Sequence, residues 1–356
     1  MDIRFSLHKP TAPVLAGWLV VGLTLGYSGT ALSAQGEASA QIEHDATQRE
    51  ITITLGPIPM HADGNDHHHA ASRSFAVLVP VTGWLRGYQV ELSDPAGRPL
   101  PRTLLHHLNL IAPGERELFS PIMQRVGAAG QETGRVAAPP GIGYPLQRGD
   151  TLLITVMLHD PTGVRVETAA ARVRMRYAPA TTRAPMLSVY PFYMDVLMRP
   201  GARSFDLPPG RTEKSWEGRP AVAGRILGMG GHLHKHAVLL RFEDVTAGRV
   251  IWEARPQVDA EGNVVAMPVR NLVWRLGVPL RTEHDYRLTA IYDNPTGHTI
   301  PGGGMGALGG IFVPTRRASL PPADRSDPLY TLDRRITIEG IHDDLARADG
   351  GAHEHH

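Results

Sequence analysis

Two stretches of this chain repeat one plan. "RGDTLLITVMLHDPTG" (148–163) and "EHDYRLTAIYDNPTG" (283–297) each run from an acidic residue through an apolar strand into Asp/Asn-Pro-Thr-Gly. A Pro-Gly turn closing an apolar run of this length is a strand signal. Its recurrence in both halves points to two similar β units. The rest of the chain agrees. "REITITLG" puts Ile51, Ile53 and Leu55 on one face of a strand. "YQVELSD", "VRVETAAARVRMRY", "HAVLLRFED", "RVIWEA" and "GGIFVP" read the same way, punctuated by "DPAGRP", "PPGIG" and "DAEGN". No segment carries a convincing helical period. The 38 glycines and 30 prolines fit many short strands joined by turns, and 356 residues exceed one ordinary core. The expected fold is all-β, two tandem jelly-roll β-sandwich domains.

The Pro/Ala/Thr-rich "RYAPATTRAPM" (176–186) marks the boundary. The expected units are an N-terminal β-sandwich over 45–180, a C-terminal one over 183–316 and a polar tail over 317–356. Residues 1–34 read as an export signal. Arg4 and Lys9 precede a long apolar run that ends in small residues near Ala31-Leu32-Ser33. Cleavage near 33–34 frees the protein into the periplasm or the exterior. Retention of the run anchors it, and only then does the chain contact a membrane. The formal net charge of +1 gives no reason to expect a nucleic-acid partner. The absence of cysteine excludes disulfides, thiol nucleophiles and thiolate metal sites.

Chemistry concentrates in the histidines. "GMGGHLHKHAVLLRFED" sets His232, His234 and His236 at alternate positions, hence on one face if the strand is continuous. That face continues as Val238, Leu240 and Phe242, so it is expected to point inward. Several buried imidazoles need partners, and a shared copper or zinc ion satisfies them. "PRTLLHHLNLIAP" holds His106 and His107, whose adjacency sends them to opposite faces unless a bulge or strand end intervenes. His159 closes "TLLITVMLH", and Met305 stands among glycines in "HTIPGGGMGALGG" with little local core to fill. A thioether is a soft donor that suits Cu(I). "MHADGNDHHHAA" (His61, His67, His68, His69) reads as a solvated loop, and the terminal "GGAHEHH" as a solvated tail.

Taken together, an HH pair, a later His, an HxH pair and a Met across two β units resemble the copper type II, ascorbate-dependent monooxygenases. That family includes peptidylglycine α-hydroxylating monooxygenase and dopamine β-hydroxylase. The resemblance covers about residues 45–316 and includes "PPGIGYPLQRGDTLLITVMLHDPTG". It implies two jelly rolls across a cleft and two copper ions. His106, His107 and His159 would hold an electron-transfer copper, and His232, His234 and Met305 an oxygen-binding copper. It also implies ascorbate or another small reductant, with O2 and a small molecule as substrates. His236 and His298 would be orienting groups around the ligands. The chain departs from the family's animal members in having no cysteine. Where the peptide-processing enzyme has side chains that hold a peptide carboxylate, this chain has Gly230, Ala307 and Gly309. Peptidylglycine is therefore not the expected substrate. The expectation is an exported dicopper monooxygenase. Its rivals are a non-catalytic periplasmic protein that stores, carries or senses copper, and a structural β scaffold with incidental histidines.

Overall fold

The structure is a computed structural model. It describes residues 39–60, 73–131, 133–158, 166–201, 204–273, 277–315 and 320–339. The export segment, His61 and His67–His69, His159 and the terminal "GGAHEHH" lie outside the described residues. The first half contributes β1 (Ser39–Asp45), β2 (Glu50–Pro59), β3 (Arg73–Leu78), β4 (Gly83–Ser93), β5 (Pro99–Leu100), β6 (Leu105–Arg116), β7 (Met123–Ala129), β8 (Val136–Ala137), β9 (Ile142–Leu146), β10 (Thr151–Leu158), β11 (Thr168–Pro179) and β12 (Leu187–Ser188). The second half contributes β13 (Tyr190–Asp195), β14 (Phe205–Leu207), β15 (Gly210–Gly218), β16 (Gly224–Leu233), β17 (Ala237–Asp244), β18 (Arg249–Ala254), β19 (Gln257–Val258), β20 (Val264–Ala266), β21 (Arg270–Asn271), β22 (Val278–Leu280), β23 (Tyr286–Asn294), β24 (Ile300–Gly304) and β25 (Gly306–Pro314). One helix, α1 (Pro328–Glu339), follows.

The strand order is that of a jelly roll, twice. In the first half one sheet runs β2-β11-β4-β9, with β1 beyond β2, and the other runs β3-β10-β6-β7. Counted in chain order, the eight principal strands lie 1-8-3-6 and 2-7-4-5. The second half repeats this winding, with β13-β25-β16-β21 facing β15-β23-β17-β18. β10 and β23 both take seventh place, so the two echoing stretches are equivalent strands. Alternation sets the cores. Ile51, Ile53 and Leu55 are buried with Val90, Ile154 and Val173 in the first sandwich. Leu240, Phe242, Leu288 and Phe312 are buried in the second.

The two sandwiches share material. The β6–β7 connection carries Leu118 and Phe119 into the second core, where Phe119 meets Phe192, Phe242 and Tyr286 edge-on at ring distances of 6.1, 6.3 and 6.0 Å. Ala221 donates its N–H to the Leu118 carbonyl. β12 pairs in parallel with β9, and Ile142, Val189 and Leu227 form a small apolar seal between the halves.

Two expectations need correction here. The absence of helix is wrong over Pro328–Glu339, and so is a wholly polar tail from 317. Tyr330 and Ile336 of α1 are buried, and Tyr330 packs with Ile111, Met123 and Leu153 on the first sandwich. Asp333 accepts from the Arg125 guanidinium at 2.5 and 2.6 Å and from the Met123 N–H at 3.1 Å. Among the described residues no helix is long and apolar enough to cross a membrane.

Glu117, beside the inserted pair, is completely buried. Its Oε1 accepts the Arg125 N–H at 2.6 Å and its Oε2 the Tyr193 N–H at 3.0 Å. Burial nevertheless outweighs these donors and the Arg125 charge, and pushes its pKa up to about 7. The folded chain then keeps a proton that the unfolded chain releases near pH 4.5. This contribution to stability is complete below pH 4.5 and is lost as pH rises to about 7. Glu117→Gln does not titrate. The stability of wild type minus variant should therefore fall between pH 4.5 and 8, by up to about 3 kcal/mol. Urea unfolding of both proteins across that range measures it, and a flat difference contradicts the assignment.

Candidate functional site

β16 reaches the histidines through glycines, for a reason of packing. A Cβ on Gly231 would stand 2.4 Å from the Leu240 side chain and 3.1 Å from Trp252, on the inner face of the sheet. Leu233, two residues on, is buried on that same face. His232 and His234 therefore point to the outer face, away from the core. β16 ends at Leu233, and Lys235 and His236 form a turn into β17, which belongs to the other sheet. His236 has the left-handed φ of 67°. The expected continuous row of three inward histidines is thus corrected to an outward pair followed by a sheet-switching turn. The row breaks because the chain changes sheets at this point.

Met305 joins the pair through register. His232 lies opposite Ala307 and Leu233 opposite Gly306. Continued by one residue, the register brings Met305 opposite His234, just before β25 begins. Tyr292 fixes this corner. Its hydroxyl donates to the Met305 carbonyl and accepts the N–H groups of His234 at 3.0 Å and Met305 at 3.1 Å. Burial pushes the Tyr292 pKa up to about 12, so the phenol keeps the proton it donates. Tyr292→Phe removes all three bonds from a fully buried position and should cost on the order of 2 kcal/mol. Thermal unfolding measures the cost. An unchanged midpoint would mean that the backbone of this corner holds itself.

In the first sandwich a bulge does what adjacency forbids. Met157 pairs with His107 and Leu158 with Leu105, so His106 is the extra residue. Leu105 and Leu108 are buried in the core, while His106 and His107 share the other side with ring centroids 4.1 Å apart. The two sandwiches bring their pairs together. His107 and His232 lie 6.4 Å apart between ring centroids, and His232 and His234 5.3 Å apart. Among the described residues no three of His, Asp and Glu are grouped so as to hold one ion. The histidines form two linked pairs.

The His234 imidazole is held neutral, with its pKa lowered to about 4. Burial is the main cause, then the neighbouring His232 and His106, against a hydrogen bond to the Gly303 backbone. A neutral ring held from one side by a backbone group is prepared to ligate a metal with its other nitrogen. The donor chemistry therefore fits copper: imidazoles from both halves, with a thioether in register. His298 is exposed, with its Nδ1 3.1 Å from the Thr296 carbonyl oxygen in its own turn. His236 accepts the Asp293 N–H on its backbone carbonyl at 3.0 Å.

Three residues escaped the sequence reading. Met157 is directly opposite His107, which puts a second thioether on that face. Tyr193 pairs with Gly309, and Asp195 with Ala307, so both border the floor formed by Gly230, Gly309 and Ala307. The Tyr193 hydroxyl donates to Asp195 Oδ2 at 2.5 Å. Tyr193 and Asp195 alternate with the buried Phe192 and Met194, and only the sheet order shows what lies beside them.

No family of known proteins matches the chain, and neither does any curated protein. Among solved structures, it is similar to the infectious bursal disease virus VP2 subviral particle at 11% identity, over 83% of this chain and 75% of that one, with a TM-score of 0.23. It is also similar to the mavirus major capsid protein at 8% identity, over 88% and 92% of the two chains, with a TM-score of 0.21. The tandem CBM51 modules of a family 98 glycoside hydrolase from Streptococcus pneumoniae SP3-BS71 are similar at 6% identity, over 80% and 88%, with a TM-score of 0.19.

Proposed function

We propose that this chain is an exported dicopper protein that inserts one oxygen atom of O2 into a C–H bond of a small substrate. The observation that carries the reading is the meeting of the two histidine pairs, one from each sandwich, with the His107 and His232 rings 6.4 Å apart. His106, His107 and His159 would hold one ion; His232, His234 and Met305 would hold the other. Bound copper supplies one-electron redox chemistry and the activation of O2. The overall balance is substrate C–H plus O2 plus a two-electron reductant of the ascorbate kind, giving the alcohol, water and the oxidised reductant.

The chain's own part is positioning. Tyr292 holds the His234 and Met305 backbones in register, and Gly303 orients the His234 ring. The bulge at His106 turns two adjacent imidazoles to one side. Gly228, Gly230 and Gly309 carry no side chain of their own between Leu227 and the histidines, although Ile311 lies against the first and Val269 against the second. A Cβ on Gly309 would meet nothing within 4 Å. A glycine surface edged by the apolar Ile311 and Val269 accommodates a small apolar or aromatic substrate. It supplies no charge to offset the desolvation of a peptide carboxylate.

The test is copper-dependent, ascorbate-driven O2 consumption by the purified protein over a screen of small substrates, with mass analysis of products. Met305→Ile keeps apolar bulk and deletes the soft donor, so the fold should survive. O2 consumption should drop by at least about 100-fold, the loss expected when even outer partners of a metal cost 10–100-fold. Normal O2 uptake by the variant removes Met305 from the site, and its unfolding makes Met305 a packing residue. Stoichiometric copper binding without any turnover would favour the alternative, a periplasmic protein that stores or senses copper. The lack of a charged clamp at Gly230, Ala307 and Gly309 is the observation that favours this second reading.

A further inference from the structure

The first sandwich carries a basic cleft on the outer face of its β2-β11-β4-β9 sheet, the sheet that does not contain the histidine strand β6. The cleft measures about 220 Å³ and is lined by Glu50, Arg86, Gln89, Arg135, Arg174 and Arg176. Register explains the gathering. Arg174 lies opposite Gln89, and Arg176 lies between Gly87 and Glu50. The interposed Val173 and Met175 are buried in the core, so Arg174 and Arg176 point outward.

One glycine builds the wall. β8 pairs with β4 at Gly87 and Tyr88, and a Cβ on Gly87 would stand 2.3 Å from the Val136 carbonyl oxygen. With φ of 156° and no side chain, Gly87 lets β8 settle on the edge of β4 and brings Arg135 to the rim. Arg86 is fixed from behind, donating to the Ala138 carbonyl at 3.1 Å and to the Met186 sulfur at 3.8 Å.

The charges do not cancel. Arg176 and Glu50 stand 3.7 Å apart, and Arg174 and Glu91 3.6 Å apart, both long pairs whose guanidiniums are exposed. Arg135 has no carboxylate partner among the described residues. Four guanidiniums thus face two carboxylates, in a chain whose formal net charge is only +1. Guanidiniums are planar forks that match carboxylate and phosphate oxygens two at a time.

We infer that this cleft binds a small multivalent oxyanion, of the polycarboxylate or phosphate kind, independently of the histidine pairs. Calorimetric titration of the full chain with citrate and, separately, with pyrophosphate tests it. Saturable one-to-one binding of at least one probe is expected. A response to citrate alone names the polycarboxylate class, and one to pyrophosphate alone the phosphate class. Arg135→Gln and Arg174→Gln, both exposed, should each weaken binding about tenfold, and the double variant should lose it. The bound probe should raise the unfolding temperature of wild type but not of the double variant. His107→Ala should bind as wild type does. Absence of saturable binding for both probes, undiminished binding by the double variant, or loss of binding in His107→Ala would each overturn the inference.

Discussion

Two equivalents of Cu(II) added to the protein should give two ions that sense each other. Copper–imidazole bonds are about 2 Å long, as for other first-row ions at histidine sites. Ions held by His106/His107 and by His232/His234, with rings 6.4 Å apart across the joint, then stand on the order of 5–10 Å from one another. Electron paramagnetic resonance of the fully loaded protein should show dipolar broadening and a half-field transition. His107→Ala and His234→Ala should each lose affinity for one ion by at least about 100-fold, since even outer partners of a metal cost 10–100-fold. Each variant, loaded with the copper it retains, should give an unbroadened single-ion spectrum. Two independent, unbroadened signals from the fully loaded wild type would mean that metal binding drives the pairs apart into the open-cleft arrangement that the family resemblance implies. Loss of both ions in each single variant would mean one shared cluster.

Much of the framework is local and therefore legible. Ile51, Ile53 and Leu55 alternate and are buried, and the equivalent strands β10 and β23 announce themselves by the same turn sequence. The meaning of "HH" was legible only conditionally, because a bulge is a property of two strands. It needed Leu105 and His107 on β6 to be counted against Met157 and Leu158 on β10. The row His232-His234-His236 misleads for the opposite reason. Strand alternation holds through Leu233, but the left-handed turn at His236 is a local event that residue spacing does not encode. Helix α1 carries Thr331, Ile336, Thr337 and Ile338, β-branched residues with weak helix preference. Its place depends on Asp333 reaching Arg125 across 208 positions of sequence. Met157, Tyr193 and Asp195 acquire meaning only from their partners across the sheets.

Phe119→Ala should be the most destabilising single change outside the histidines. Phe119 sits in the β6–β7 connection of the first sandwich, yet it is buried in the second core with Phe192, Phe242 and Tyr286 around it. Removing a buried phenyl ring costs about 3–5 kcal/mol, from lost transfer free energy and the cavity left behind. The neighbouring shell has little freedom to collapse. Phe242 and Tyr286 already stack on one another at 5.8 Å, and Glu117 beside the ring is tied to β7 and β13 by backbone N–H groups. The cost should fall on the second sandwich, although the residue belongs to the first. Wild type should therefore unfold in one calorimetric transition, because this insertion couples the cores. The variant should show two transitions, with the lower one belonging to the half that contains Trp216 and Trp252. Trp84 is the corresponding reporter in the first half, so single-tryptophan versions of the variant separate the two events by fluorescence. One transition in the variant, lowered by only a degree or two, would mean that the apolar seal at Ile142, Val189 and Leu227 couples the sandwiches by itself. The β6–β7 insertion would then be a filler of the second core and not the joint between the halves.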